Sequence, residues 1–574
     1  MQMDDYSIVR FAKDRTSEAL NLQGFIHNPR WFANLTFFLN RNLHGDRVFG
    51  YHLTNLVIHL LTACILYVFI RRIINILQHN FPTTERGESS SFLPAFIPFA
   101  SAALFVSHPV QTQAVTYIVQ RYTSLTTLLY LGSLLAFLIF RDTARHENRG
   151  YNQWLCGSIA VVCALLAMKS KEIALTIPVM TMILEFLLFR GKLLKNCVFV
   201  FLIVALLLFI PVQMLYSSHS GHQESIFQQF QSVSVETQTI SRFDYLLTQT
   251  GVVVTYLRLL CLPVNQNLDY DYPIYHSLLS FPVLAALCIH LLLIYSAFWL
   301  YKRSEYNLSC GHQGTGIHQR VTCLGIIWFY LALCVESSLI PIQDVIFEHR
   351  IYLPSAGFFM AVTAIVSSFM LNRSFARFVA CWALVMVCCI LTVCTIMRNR
   401  TWASEIVMWR DVLDKSPNKA RARHALGFLY FKDFKADLAL PYLIRAVELE
   451  PHMDKYWITL NAEISLLGAF EGRFSTGTNL HSSHDTVDPR FRKQWTAISY
   501  NNLGLAYEYS GNLFSAQSAY LKAVAADPAT DFAWYNLALT AIKRNDSLTG
   551  TMALSRLKAL NPAMAGELLR ISGK

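Results

Sequence analysis

Charge is what this sequence lacks. Only 15% of its 574 residues are Asp, Glu, Lys or Arg, and 54% are hydrophobic. A soluble chain carries roughly a quarter charged residues, so a wholly soluble class is excluded. Two common catalytic devices are also missing. There is no nucleotide-binding glycine loop and no Ser–His–Asp set, which argues against a nucleotide-sugar enzyme and against a hydrolase. The 13 cysteines have no metal-ligand spacing. Most of them, Cys388 and Cys389 included, lie in apolar stretches and read as packing residues. No cleavable signal peptide is visible.

What the chain has instead is apolar length. Mean hydropathy is +0.35. Runs of about 17 to 25 apolar residues, enough to span a hydrocarbon core, recur from residue 51 to residue 397. Spans are expected at roughly 51–74, 93–109, 122–140, 154–168, 172–189, 196–215, 278–301, 320–340, 351–371 and 376–397. The net charge of +11 comes mostly from loop Lys and Arg. It is therefore read as topology, and no nucleic-acid partner is expected. Five groups should be cytoplasmic: Arg71, Arg72 and Arg86; Arg141, Arg145 and Arg149; Arg190, Lys192 and Lys195; Lys302, Arg303 and Arg320; Arg373 and Arg377. That assignment requires 244–262 to lie in the interface or re-enter. Residues 1–50, the loop after 109, the turn at 169–172, the loop 217–277, the triplet 348–350 and everything after Met397 then share the outer side. Residues 5–44 are amphipathic and aromatic, with Trp31, Phe32, Phe37 and Phe38, and suit helices lying in an interface.

Polar motifs gather on that outer side. They are SHPVQTQAVTYIVQR (107–121), MKSKEIALTIP (168–178), YLRLLCLPVNQNLDYDYP (256–273) and EHR (348–350). Each alone has a bland explanation. His108–Pro109 fits a helix end, Lys169, Lys171 and Glu172 fit a snorkelling hairpin tip, and Asp269 and Asp271 fit loop solvation. Glu348, His349 and Arg350 fit an ion pair that staples a loop to a helix. Such groups near a bilayer are expensive unless paired or useful. The sharper reading is a site that holds a phosphate and manages a proton.

From about residue 400 the sequence turns repetitive. Pro417 and Pro451, and again Pro528 and Pro562, stand 34 residues apart, the tetratricopeptide period. Tyr500, Leu503, Gly504, Tyr507, Ala516, Tyr520 and Ala523 occupy the repeat positions before Pro528. Leu426, Gly427, Tyr430, Ala439, Leu443 and Ala446 occupy those before Pro451. About four repeats are expected in 401–574. The second, with Trp457 and Leu460, is divergent and carries an insertion near 470–493. Solenoids of this kind present a concave, peptide-binding surface.

Taken together, these motifs resemble bacterial relatives of the transmembrane and tetratricopeptide-repeat O-mannosyltransferases. The likeness rests on GYHLTNLVIHLL (50–61), LFVSHPVQTQAVTYIVQR (104–121), KSKEIALTIPVM (169–180), YLRLLCLPVNQNLDYDYP (256–273), EHRIYLPSAGF (348–358) and WRDVLDKSPNKARARHALG (409–427). The resemblance implies an all-α chain: an outer-face segment with an acidic pair (1–50), a GT-C-like transmembrane domain (51–400) of about ten to eleven spans, and an α-solenoid (401–574). It implies a polyprenyl-phosphate-linked sugar as donor and a protein hydroxyl as acceptor, recruited through the repeats.

The family's acidic pair, which follows its first transmembrane helix, matches Asp4 and Asp5. The helix expected before that pair is absent from this sequence. Glycosyl transfer needs a base for the acceptor proton and cations for the leaving phosphate. Asp4 or Asp5 is the candidate base. Arg350, with its bidentate fork, His349, Lys169 and Lys171 are the candidate phosphate clamp, with Arg121 and Arg258 behind them. Glu348 is expected to orient His349 or Arg350. Glu172, Gln266, Asp269 and Asp271 are the other candidate orienting or sugar-contacting residues. No spacing demands a metal, although a divalent cation on Asp4, Asp5 and a further carboxylate fits the chemistry. The expected location is multi-pass, in a bacterial inner membrane, with the repeats periplasmic. The alternatives are a non-enzymatic membrane-anchored repeat scaffold and a lipid-linked glycan ligase, polymerase or transporter.

Overall fold

The computed structural model describes residues 28–45, 47–81, 93–143, 151–217, 240–338, 341–342, 344–370, 374–433, 435–449 and 489–571. Among these there is no strand, and helices joined by short 3-10 turns make an all-α chain. Asp4, Asp5, the divergent second repeat and most of its insertion fall outside the described residues.

Apolar helices build a bundle. They are α2 (Val48–Asn80), α3 (Leu93–Ser107), α5 (Arg121–Thr143), α6 (Tyr151–Met168), α7 (Ile177–Phe189), α8 (Cys197–Ser217), α10 (Phe281–Ser309), α11 (Gln313–Leu333), α12 (Tyr352–Ser368) and α13 (Ser374–Thr401). Before and between them lie α1 (Trp31–His44), the short α4 (Thr112–Thr116) and α9 (Arg242–Cys261). Among the described residues, six segments are long and apolar enough to cross a membrane: Val48–Asn80, Ile118–Thr143, Glu172–Phe189, Phe281–Ser309, Glu348–Ser368 and Phe375–Thr401. Ala95–Ser107, Gln153–Met168 and Cys197–Phe209 are shorter apolar helices. Leu291, Leu292, Phe298, Trp382 and Ile390 are exposed on α10 and α13, the pattern of helices whose outer faces meet lipid.

The bundle has two unlike ends. At one, Asn80 donates to Leu188 O (2.8 Å) and Arg320 to Leu187 O (2.7 Å). Arg72 pairs with Asp142 (2.7 Å) and Arg141 with Glu185 (2.7 Å). This basic end collects Arg71, Arg190, Lys192, Lys195 and Arg303, as positive-loop counting requires. At the other end, Phe32 N–H donates to Lys169 O (2.9 Å), and Thr116 Oγ1 to Asn399 Oδ1 (2.6 Å). Here lie the polar motifs and the start of the solenoid. Helix α9 lies along this motif end. Tyr245 Oη reaches Glu336 O (2.7 Å), Gln249 Nε2 reaches Val345 O (2.8 Å), and His108 Nε2 lies 3.2 Å from Leu260 O. Its two ends thus touch loops of one and the same face.

Helices α11 and α12 pack closely where two glycines face each other. A Cβ on Gly357 would stand 2.7 Å from Gly325 O and 2.6 Å from Trp328 Cδ1. Trp328 Nε1 donates to Leu353 O (3.0 Å), and His59 Nδ1 on α2 lies 2.8 Å from Tyr352 Oη. These contacts fix the start of α12 and, with it, residues 348–350.

The solenoid follows as α14 (Glu405–Lys415), α15 (Ala420–Lys432), α16 (Ala436–Leu449), α17 (Pro489–Tyr509), α18 (Leu513–Ala526), α19 (Asp531–Lys543), α20 (Ser547–Leu560) and α21 (Pro562–Ile571). The repeat positions behave as their spacing predicts. Gly504 lies directly against the Tyr520 ring, and Tyr520, Ala516 and Ala523 join one buried core with Trp534 and Leu557. A second core joins the solenoid to the membrane domain, because Leu268 from the 262–273 loop is buried with Met408, Trp409, Val412 and Leu426.

Candidate functional site

Cations and carboxylates meet at the motif end where three chain segments converge: the 169–172 turn, the loop after α11, and the 3-10 turn Glu348–Ile351 that opens α12. Lys171 Nζ pairs with Glu336 Oε1 at 2.6 Å, with 10% and 11% of the two side chains exposed. Lys171 also donates to Thr123 Oγ1 (3.1 Å). Beside them, Arg30 donates twice to Glu172 Oε1 (3.3 Å each) and stacks over Tyr122 at 5.3 Å.

His349 is buried and stacked on Phe347, with ring centroids 5.0 Å apart. Lys171, Arg350 and Arg30 are the charges that bear on its imidazole. Its backbone N–H donates to Gln113 Oε1 (2.8 Å). His349 Nδ1 and Gln113 Nε2 are both buried without a hydrogen-bond partner among the described residues. Buried polar atoms are paired in the great majority of cases, so two orphans joined by one hydrogen bond mark this spot. Arg350 is buried and donates to Val345 O (3.2 Å) and Asp344 O (2.8 Å). It lies within the field of Glu336.

Glu348, Gln266 and Asp269 have protein partners that the sequence did not show. Glu348 does not orient its two neighbours. Its carboxylate accepts from Gln266 Nε2 (2.9 Å), Asn267 N–H (2.6 Å) and Tyr270 Oη (2.7 Å), so it anchors the 262–273 loop. Gln266 is held from two sides, since its Nε2 also donates to Pro109 O (3.1 Å). Asp269 is committed to the solenoid, as Arg421 donates from Nε to its Oδ2 (2.7 Å) and pairs from Nη2 with its Oδ1 (2.7 Å). Lys419 adds a third contact at 3.3 Å. Burial pushes the Asp269 carboxyl up, but Arg421 and Lys419 outweigh it and hold the group below its usual range. Asp271 is exposed, with its N–H on Ser416 Oγ (3.0 Å).

The remaining cations take other places. Arg121 is fully buried and donates to Asn55 Oδ1 (2.7 Å), Asn40 Oδ1 (2.7 Å), Tyr51 O (3.2 Å) and Thr36 O (3.3 Å). It braces α1 and α2 against α5, so its guanidinium is already spent on protein oxygens. Arg258 is exposed and caps the turn at Val264 O (3.0 Å). Lys169 lies 5.7 Å from the Phe209 ring centre, and burial lowers its pKa to about 8. Among the described residues, no three His, Cys, Asp or Glu gather as metal ligands.

Sequence reasoning missed Arg30, Gln113, Glu336, Asp344 and the solenoid cations. The run DKSPNKARAR (414–423) carried the signal for the last of these, since Lys415, Ser416, Lys419 and Arg421 all reach the 262–273 loop. Glu336 stands alone in an apolar stretch and belongs to no motif.

Comparison with known proteins bears on this end of the molecule. The tetratricopeptide repeat family model matches residues 497–530. A protein O-mannosyl-transferase of Caenorhabditis elegans is 24% identical over 421 residues, covering 73% of this chain and 53% of the relative. Protein O-mannosyl-transferase TMTC3 of Mus musculus is 23% identical over 583 residues, covering 89% of this chain and 58% of the relative. The chain is similar in sequence to protein O-mannosyl-transferases. It spans about half the length of these curated relatives. TMTC2 of Homo sapiens matches a shorter stretch, 26% identical over 186 residues. The 73% and 89% coverages are too long for the repeats alone to carry, so the likeness includes membrane domain as well as solenoid.

Proposed function

We propose that this chain is a membrane glycosyltransferase with a GT-C arrangement. It moves a sugar, a mannosyl group by the names of its relatives, from a polyprenyl-phosphate carrier to Ser or Thr hydroxyls of a protein acceptor. The single observation that carries this is the placing of Lys171, paired with Glu336, and of the buried His349 and Arg350 at one and the same motif end, in a chain similar to O-mannosyl-transferases. A lipid-borne phosphate needs cations at the bilayer surface, because its tail stays in the hydrocarbon.

In this reading Asp4 or Asp5 takes the acceptor hydroxyl proton. The acceptor oxygen forms the new bond to the anomeric carbon, the bond from that carbon to the phosphate oxygen breaks, and polyprenyl phosphate leaves. Arg350 and Lys171 stabilise the phosphate charge, and Lys169 adds to the local field. His349 Nδ1 and Gln113 Nε2, which have no partner among the described residues, face sugar or phosphate oxygens. A divalent cation on Asp4 and Asp5 is compatible with this scheme.

The site lies opposite the basic end, and the positive-inside rule supports reading it and the solenoid as extracytoplasmic. The bacterial inner membrane is the compartment we propose, and a reporter fused after Lys574 tests the side directly. The solenoid, docked through the 262–273 loop, holds the acceptor polypeptide near the site.

Transfer from polyprenyl-phosphate mannose to endogenous acceptors, assayed in membranes holding the wild-type chain or Arg350→Ala, is the test. The variant is expected to insert normally and to lose transfer. Normal transfer by the variant would overturn the clamp.

A further inference from the structure

We propose that Glu336 is the stand-in for the donor's phosphate: an anion placed on Lys171 that the incoming phosphate displaces and that returns when the lipid phosphate departs. The inference rests on the donor-site reading above and adds to it a specific exchange partner.

Among the described residues, two buried ion pairs of the membrane domain, Arg141–Glu185 and Lys171–Glu336, differ in kind. Arg141 and Glu185 at the basic end form a closed unit. Both carboxylate oxygens accept from the guanidinium (2.7 and 2.8 Å), and Glu185 also takes the Leu193 N–H (2.9 Å). That is a buried pair with its remaining valences satisfied, the condition for such a pair to be stable. Lys171 and Glu336 form an open unit. One ammonium meets one carboxylate oxygen at 2.6 Å, with Thr123 Oγ1 as the second acceptor. Lysine here is a point charge without a geometric fork, so it accepts one oxyanion in place of another at little geometric cost.

The surroundings favour a second oxyanion. Glu336 pairs directly with Lys171, and its charge also acts on Arg350. Nearby, His349 Nδ1 and Gln113 Nε2 have no partner among the described residues, although both side chains are more than nine-tenths buried. A carboxylate has two oxygens to offer. A phosphate diester with its sugar offers more, and so reaches groups that Glu336 leaves unpaired.

The charges also balance. A glycosyl phosphodiester carries one negative charge, as the Glu336 carboxylate does, so Lys171 faces one negative charge before and after the exchange. After transfer the polyprenyl phosphate is a monoester with a higher charge, and the returning carboxylate competes with it for Lys171.

The test uses the full chain in lipid nanodiscs, with polyprenyl monophosphate and inorganic phosphate as separate probes. Glu336→Gln keeps the shape and removes the competing charge. It is expected to bind polyprenyl phosphate about tenfold more tightly than wild type, within the usual range of coupling between sites. Lys171→Gln is expected to bind it about tenfold more weakly. The wild-type chain provides a readout free of any folding question. Adding polyprenyl phosphate should raise carbodiimide labelling of Glu336 and lower acylation of Lys171, both measured by mass spectrometry. If inorganic phosphate at the same concentration has an equal effect, the exchange stands and the free anion is its source. Equal binding by wild type and Glu336→Gln, with labelling unchanged, overturns the exchange and leaves the donor site. Absence of binding by both overturns the donor site and the exchange together.

Discussion

The Arg421 guanidinium grips the Asp269 carboxylate with both arms, Nε to Oδ2 and Nη2 to Oδ1, each at 2.7 Å. The two residues are 152 positions apart. Arg421 also holds Asp344, from Nη2 to Oδ1 at 3.0 Å. One solenoid residue thereby links the 262–273 loop to the segment that leads into 348–350.

Breaking this latch should free the solenoid without unfolding either part. Removing one partner of a buried pair costs about 3–5 kcal/mol, because the other charge is left uncompensated. Arg421→Gln should therefore raise hydrogen exchange across Glu405–Lys415 and leave the membrane helices protected. Transfer to protein acceptors should fall while polyprenyl-phosphate binding is retained. Unchanged exchange in that helix would show that the latch does not hold the two parts together.

Glu348→Gln tests the anchoring role. Glu348 receives three donors, and a carboxamide has one oxygen and turns an NH2 toward a donor. Leaving a buried group unsatisfied costs about 1–3 kcal/mol. Thermal stability of the detergent-solubilised chain should drop by about that amount, and the pH profile of transfer should keep its shape. A displaced profile with intact stability would instead make Glu348 a partner of His349.

Lys169 supplies a pH dependence. Burial lowers its pKa to about 8, below the unfolded value near 10.4. Its positive charge in the folded chain is lost as pH rises through about 8, while the unfolded chain stays protonated to about 10.4. Between those limits the unfolded state binds more protons, so this residue's contribution to stability rises with pH. Its attraction for phosphate falls over the same window. Polyprenyl-phosphate affinity should decline between pH 7 and 9 in the wild type, and Lys169→Arg should flatten that decline. An identical decline in the variant would remove Lys169 from the phosphate's surroundings.

Gly357→Ala should disturb the seat of the site from within the bundle. The added methyl meets Trp328 and the Gly325 carbonyl at 2.6–2.7 Å, so α11 and α12 must separate. Overpacking of this kind costs about 1–3 kcal/mol. A lower melting temperature is expected, with loss of transfer at temperatures where the variant is still folded. Wild-type stability would mean that the helix pair has slack at this crossing.

Local patterns in the sequence were enough to expect the helices, the two unlike ends and the repeats. Each depends on composition or on a short period, as Gly504 beneath Tyr520 illustrates. The polar motifs lie at one end of the bundle in the structure. What the sequence hid was which polar group each motif residue would meet. Asp269 reads as a loop carboxylate until Arg421 arrives from the next domain. Arg121 reads as a helix-end arginine, yet four oxygens of residues 36–55 surround it. Glu336 carries no local signature at all, because its meaning comes from Lys171, 165 residues earlier in the chain.

The most direct measurement is a mass-spectrometric survey of glycopeptides from the extracytoplasmic proteins of cells expressing this chain. It compares the wild type with Arg350→Ala and with the Asp4→Asn/Asp5→Asn double variant, each at matched membrane levels. Hexose-bearing Ser and Thr peptides that are present with the wild type and vanish in both variants are the predicted result. The same glycopeptides at the same abundance in all three would contradict a protein glycosyltransferase that works through this site.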